Sequence, residues 1–313
     1  MVGDSTFNAI RLNLVRGDIN ANDNGRSLVL DDGAKLTSES GMLLVGRDTG
    51  SADGDTTPGG NVFLYNGTLD LDGTNNNREA IIQNDSGNNL FVRTTIEASQ
   101  GLTKGGQNNV YLDAPNRLGG TVSIPQNLLI VRNSGALDGA NLVKISGDGQ
   151  LYLEGSAVIT NIDLLNTPQS YGKRALVSNS GHNLWGGDIL IDNVDNQGLV
   201  AHDIRLGAGI NNRNATLTLT GDIGRTDKGM TSDIFFFDSP QVTTIESSGI
   251  LNLMGTFGDR LVNGEAVPVA ITNNPGQVRI ESGWNSNRGS SENDVLRFRI
   301  ESPTTNNWGQ ELV

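Results

Sequence analysis

Residues 101–139 read GLTKGGQNNVYLDAPNRLGGTVSIPQNLLIVRNSGALDG, and the fold class follows from how this stretch alternates. It holds three short runs of β-branched or aliphatic residues: Val110-Tyr111-Leu112, Thr121-Val122-Ser123-Ile124 and Leu128-Leu129-Ile130-Val131. Each run is closed by glycine, asparagine, aspartate or proline, the residues that make tight turns. No run has the length or the 3.6-residue period of a helix. The stretch predicts strand, turn and strand again at short, irregular spacing.

The same residues carry a resemblance. Gly101-Leu102-Thr103-Lys104-Gly105-Gly106 leads into the first run, Gly119-Gly120-Thr121-Val122 opens the second, and Ser134-Gly135-Ala136-Leu137-Asp138-Gly139 follows the third. This order resembles the autotransporter-associated β-strand repeat, also called the passenger-associated transport repeat. It departs from that pattern at residues 113–119, where the family has a G-N-x-Y-x-G turn. It departs again at Pro125-Gln126-Asn127, where the family has a glycine. The resemblance implies a right-handed parallel β-helix within a large secreted or surface protein of bacteria. It further implies a non-catalytic structural or adhesive passenger segment. The partners would be a cell-surface or extracellular ligand, glycan or protein, and neighbouring segments of the same parent chain.

Outward from this stretch the chain keeps the same logic. Alternating or aliphatic runs stand at residues 7–19, 27–30, 42–45, 62–65, 68–71, 80–82 and 90–92 on one side. On the other they stand at 142–145, 150–153, 158–162, 267–271, 278–280 and 295–300. Residues 183–191, 215–223 and 250–258 echo the strand-turn-glycine-strand order of 110–124. No Pro- or Ser-rich linker divides them, so residues 1–313 read as a single β-solenoid domain with coils of about 22 residues. The alternative is a β-sandwich, which would be unusually large at this length. Inward aliphatic side chains stacked coil on coil would bury enough apolar surface, at about 25 cal/mol per Å², to offset ordering entropy without disulfides.

Composition narrows the function classes. The 313 residues carry 22 Lys and Arg against 35 Asp and Glu, a formal net charge of −13. That sign argues against nucleic acid and anionic membranes as partners. Cysteine is absent, which excludes disulfides, thiolate metal sites and a Cys nucleophile. No run is long and apolar enough for a transmembrane helix, and the first residues have no signal-peptide pattern. We therefore expect a piece of a longer secreted or cell-surface protein. Its terminal coils, near residues 7–30 and 295–313, would be less protected than the centre.

The candidate chemistry is sparse. Asn20, Asn22, Asn24 and Asp31 approach the spacing of an EF-hand loop, in which alternate oxygens converge on Ca²⁺. Asp48, Asp53 and Asp55 in the loop of residues 48–60 form a second Ca²⁺ candidate. Ca²⁺ is the one cofactor considered, and a polar asparagine-rich turn explains the same residues. Arg16-Gly17-Asp18 spells an integrin tripeptide at the end of a strand, where chance suffices to produce it. Polysaccharide-active or polysaccharide-binding β-helices, pectin-lyase-like or tailspike-like, are the alternative function. The polygalacturonase pattern breaks here, however, at Gly181-His182-Asn183 and at Arg279-Ile280-Glu281. His182 and His202 lie far apart in sequence, and Trp185, Trp284 and Trp308 supply few sugar-stacking rings. No spacing singles out a catalytic pair of carboxylates, and no G-x-S-x-G, P-loop or H-E-x-x-H occurs. No catalytic residue is assigned.

Overall fold

The computed structural model describes residues 3–14, 25–47, 60–73, 78–169, 173–191, 204–208, 215–221, 223–225, 234–237, 250–253, 259–262, 265–268, 278–281 and 298–300. Among these residues the chain is all β, without a helix. Three long sheets hold nearly all the strands. The first runs Ser5–Phe7, Lys35–Ser38, Asn61–Asp70, Leu90–Ala98, Val110–Leu112, Leu128–Val131, Gln150–Leu153, Leu176–Ser178, Ile204–Ala208, Ile234–Phe237 and Val278–Glu281. Gly25–Val29 and Arg117–Leu118 pair with it off this path. The second runs Ile10–Leu14, Met42–Arg47, Ala80–Asn84, Gly101–Gly105, Thr121–Ile124, Leu142–Gly147, Asp163–Gln169, Ile189–Ile191 and Ile223–Arg225. The third runs Val158–Ile159, His182–Trp185, Thr216–Leu219, Ile250–Leu253 and Phe298–Ile300.

Every pairing within these sheets is parallel. The one antiparallel pair among the described residues is Asp259–Val262 with Glu265–Pro268. Parallel neighbours cannot be joined by a tight hairpin, so each connection must leave the sheet and return. Here it leaves by way of another sheet. From Gln150 to Leu253 the chain visits the first, third and second sheets in constant rotation. An antiparallel sandwich does not pair this way.

Period-two alternation explains the burial. Val62, Leu90, Val110, Leu129, Leu151, Leu176 and Leu206 are register partners in one inward column of the first sheet, and all are buried. The second sheet contributes Ala80, Leu102, Val122, Val143, Leu164 and Ile189. The third contributes Ile159, Trp185 and Leu219. All these columns belong to one continuous core. Each fully buried aliphatic side chain contributes about 1.5–3 kcal/mol relative to exposure.

The glycine pairs of the sequence echoes have a steric cause. A Cβ on Gly119 would stand 1.9 Å from the carbonyl oxygen of Ser99, and one on Gly187 would stand 1.8 Å from that of Ile162. At these turns the backbone lies directly on that of an earlier turn, at Ser99 and at Ile162. Buried asparagines stitch other corners. Asn116 accepts from the Ile96 amide (2.8 Å) and donates to the Ala136 carbonyl (2.8 Å), joining its own segment to one 20 residues before and one 20 residues after. Asn183 accepts from the Ala157 amide (2.8 Å) and donates to the Ser178 hydroxyl (2.7 Å) and the Ser180 carbonyl (2.8 Å).

Several strands differ from the reading of the sequence. The run at 7–19 is two strands in different sheets, Ser5–Phe7 and Ile10–Leu14, with 15–19 outside the described residues. The runs at 62–65 and 68–71 belong to one strand, Asn61–Asp70, whose ladder skips Asn66-Gly67 in a bulge. Gly101–Gly105, read as the leader into the first run, is itself a strand, as are Lys35–Ser38 and Leu176–Ser178. A polar residue at an inward position, Lys104 in the first and Ser38 in the second, masked the alternation.

Candidate functional site

The outward face of the first sheet is built from a tetrapeptide that recurs on successive parallel strands. It reads Val62-Phe63-Leu64-Tyr65, Leu90-Phe91-Val92-Arg93, Val110-Tyr111-Leu112-Asp113, Leu129-Ile130-Val131-Arg132, Leu151-Tyr152-Leu153-Glu154 and Leu176-Val177-Ser178-Asn179. The first and third positions point inward. The second and fourth point outward, and parallel register stacks each on its own kind. Two outward rows result: Phe63, Phe91, Tyr111, Ile130, Tyr152, Val177, and beside it Tyr65, Arg93, Asp113, Arg132, Glu154, Asn179.

In the aromatic row the rings lie almost parallel. Phe63 and Phe91 are 4.9 Å apart between centroids at 15°, and Phe91 and Tyr111 are 4.3 Å apart at 16°. Those separations match the rise between coils, about 4.8 Å. The rings therefore present their faces to each other. Tyr65 stacks on Phe63 from the neighbouring row at 5.8 Å.

The charged row alternates in sign. Arg93 Nε donates to Asp113 (3.1 Å) and its NH1 donates to the Tyr65 hydroxyl (3.0 Å). Arg132 Nε donates to Glu154 (2.7 Å), and its NH1 lies 3.9 Å from Asp113. Asn179 donates to the second oxygen of Glu154 (2.6 Å). The guanidiniums also lie over the rings: Arg93 is 5.3 Å from the Phe63 centroid and 5.2 Å from Tyr65, and Arg132 is 5.5 Å from Phe91 and 4.3 Å from Tyr111. Each cation meets both a carboxylate and a π face. Burial, and after it the Glu154 charge, pushes the Tyr111 hydroxyl above the usual tyrosine range, and burial does the same for Tyr152.

A second charged cluster edges the same sheet beyond the bulge. Lys35 reaches Asp70 (2.9 Å) and Glu97 (2.8 Å), and Arg117 reaches Glu97 (2.7 Å). The hydrogen bond from Lys35 holds the Glu97 carboxyl below its ordinary range, and the reciprocal bond raises Lys35.

No protein-family model, characterised protein or solved structure matches the chain.

Most of the residues singled out in the sequence lie outside the described residues. Asn20, Asn22 and Asn24 lie outside the described residues, as do Asp48, Asp53 and Asp55, Arg16-Gly17-Asp18, His202, Trp284 and Trp308. Asp31 sits in a turn, where its carbonyl accepts from the Ala34 amide (3.0 Å). Among the described residues no group of three or more His, Cys, Asp or Glu could hold a metal ion. His182 is exposed on the third sheet, with Nδ1 3.1 Å from the Thr216 hydroxyl, whereas Arg279 belongs to a strand of the first sheet. Trp185 is wholly buried in the core, so it offers no ring to a ligand. The outward ladder was missed because unequal loops hide its period. Successive Leu90, Val110, Leu129, Leu151 and Leu176 are 19 to 25 residues apart. Aligning the chain on the aliphatic-aromatic-aliphatic-charged tetrapeptide would have found it.

Proposed function

We propose that the three parallel sheets are the faces of a right-handed parallel β-helix, and that this stretch is a non-catalytic structural or adhesive segment. On this reading it belongs to a secreted or surface-displayed bacterial protein of the autotransporter-like kind. The rotation of the chain through three sheets supports the solenoid, and the near-universal right hand of parallel crossovers supports its handedness. The repeat-like residues 101–139 support the passenger setting.

One observation carries the non-catalytic reading: the charges and rings of the outward ladder engage one another, save for one oxygen of Asp113. Each carboxylate in it stands beside an arginine, and each arginine covers a ring. The stacked rings leave their faces to one another rather than to a sugar. A glycosidase needs two carboxylates flanking a reacting bond, and a sugar platform needs free ring faces.

The second reading is polysaccharide binding. It draws on the clustering of Tyr65, Arg93, Tyr111, Asp113 and Arg132 on one face. Two experiments separate the readings. Small-angle scattering should show an elongated particle, about 65 Å for coils of about 22 residues stacked 4.8 Å apart, with β-type circular dichroism; a compact sphere would sink the solenoid. Incubation with pectin, alginate and related polymers should release no product. Turnover that disappears in Asp113→Asn or Glu154→Gln would overturn the non-catalytic reading. Glycan-array binding lost in Arg93→Ala would install the second.

A further inference from the structure

Lys104 lies where the fold calls for an aliphatic residue. In the second sheet it pairs with Ile82, and the register of Thr103 with Ser123 sets Ile124 on its other side. It is 1% exposed. Its Nζ leaves the column at a corner and donates to the Gly106 carbonyl (2.9 Å) and the Gln126 carbonyl (2.6 Å). Gly106 belongs to the corner that follows Lys104, and Gln126 to the corner of the next coil. The Gly106 amide in turn donates to Gln126 Oε1 (3.0 Å), so the two corners are tied twice.

The hydrogen-bond count at Nζ is informative. An ammonium carries three N–H donors, a neutral amine two. The site supplies two acceptors. No carboxylate touches Nζ; the charged group acting on it is Asp85, whose oxygens are taken by the Gln107 amide (3.0 Å) and the Gln83 side chain (2.6 Å). The strands on either side contribute isoleucines. We propose that Lys104 is a proton-sensitive pin between two consecutive corners, the fold being more stable with Nζ as a neutral amine, whose two N–H donors match the two acceptors, than as a buried ammonium.

Burial agrees with this geometry: it lowers the Lys104 pKa from 10.5 to about 8, against a smaller upward pull from Asp85. The folded value lies below the unfolded one. The cost of burying the ammonium is therefore present in full below pH 8 and is relieved as pH rises toward 10.5. The unfolding equilibrium constant should fall about 25-fold between pH 7 and 9.5, given those two pKa values. At higher pH Tyr111 and Tyr152 oppose the gain, because burial raises their folded-state pKa and they ionise more readily in the unfolded chain.

The test has two arms on the whole chain. The first follows the ¹³Cε resonance of Lys104 against pH; a midpoint near 8 supports the pin, and a midpoint near 10.5 overturns it. The second compares urea unfolding at pH 7 and 9.5 for the wild type and Lys104→Met, which keeps the length and removes the amine. The pH-dependent gain should vanish in the variant. An equal gain in both proteins would overturn the proposal. Should Lys104→Met fail to fold, the resonance of the wild type decides alone.

Discussion

Single polar atoms in the core have unequal effects. Asn116 commits both ends of its amide to backbone groups of other coils, and those groups have no water to replace it. Asn116→Ala should cost about 2–4 kcal/mol, read by urea denaturation. Thr94 is the opposite case. Its buried hydroxyl has no partner among the described residues, and the residue lines a small cavity with Leu28, Leu30, Leu36, Leu43, Leu64 and Leu69. Thr94→Val keeps the shape and removes the orphan, so it should stabilise by about 1 kcal/mol in the same assay. Neither role was legible in the sequence. Asn116 reads as a turn residue beside Pro115, and Thr94 as part of a polar pair with Thr95. Only register shows that one is a bridge and the other an intruder.

At the level of strands and ladders, legibility followed chemistry. The strands at 110–112, 121–124 and 128–131 announce themselves by aliphatic alternation, and the structure places them as expected. Gly101–Gly105 did not, because its inward positions include a lysine and its ends are glycines. Arg117–Leu118 is too short to carry a period at all. The outward ladder depends on partners about one coil away, which no local window contains. Its energetics can be apportioned. Arg132 is 35% exposed and Glu154 only 11%, so the pair is partly screened. A double-mutant cycle with Arg132→Ala and Glu154→Ala should give a coupling of about 0.5–1 kcal/mol that weakens with salt. A coupling near zero would reduce the alternation of charge to coincidence.

Across the whole molecule, stability should be uneven. Apart from Arg117–Leu118 and Val158–Ile159, the strands from Leu90 to Ile191 are paired on both sides and feed one core, whereas Ser5–Phe7 and Ile10–Leu14 are each paired on one side only among the described strands. Phe7 is 49% exposed. Native-state hydrogen exchange should be slowest between residues 110 and 190 and fastest in those two strands. Equal protection of Ile10–Leu14 and Thr121–Ile124 would contradict a coil-by-coil distribution of stability.

The alternation of Arg93, Asp113, Arg132 and Glu154 also gives the stack a parity. Removing residues 103–122 would excise one coil in register and bring Arg132 onto Arg93. Removing 103–143 would excise two coils and bring Glu154 onto Arg93. Like charges on adjacent strands repel and opposite charges attract, so the longer deletion should melt at the higher temperature of the two. Within the interior of this run, between Arg93 and Glu154, evolution can drop charged repeats without setting like charges together only in pairs.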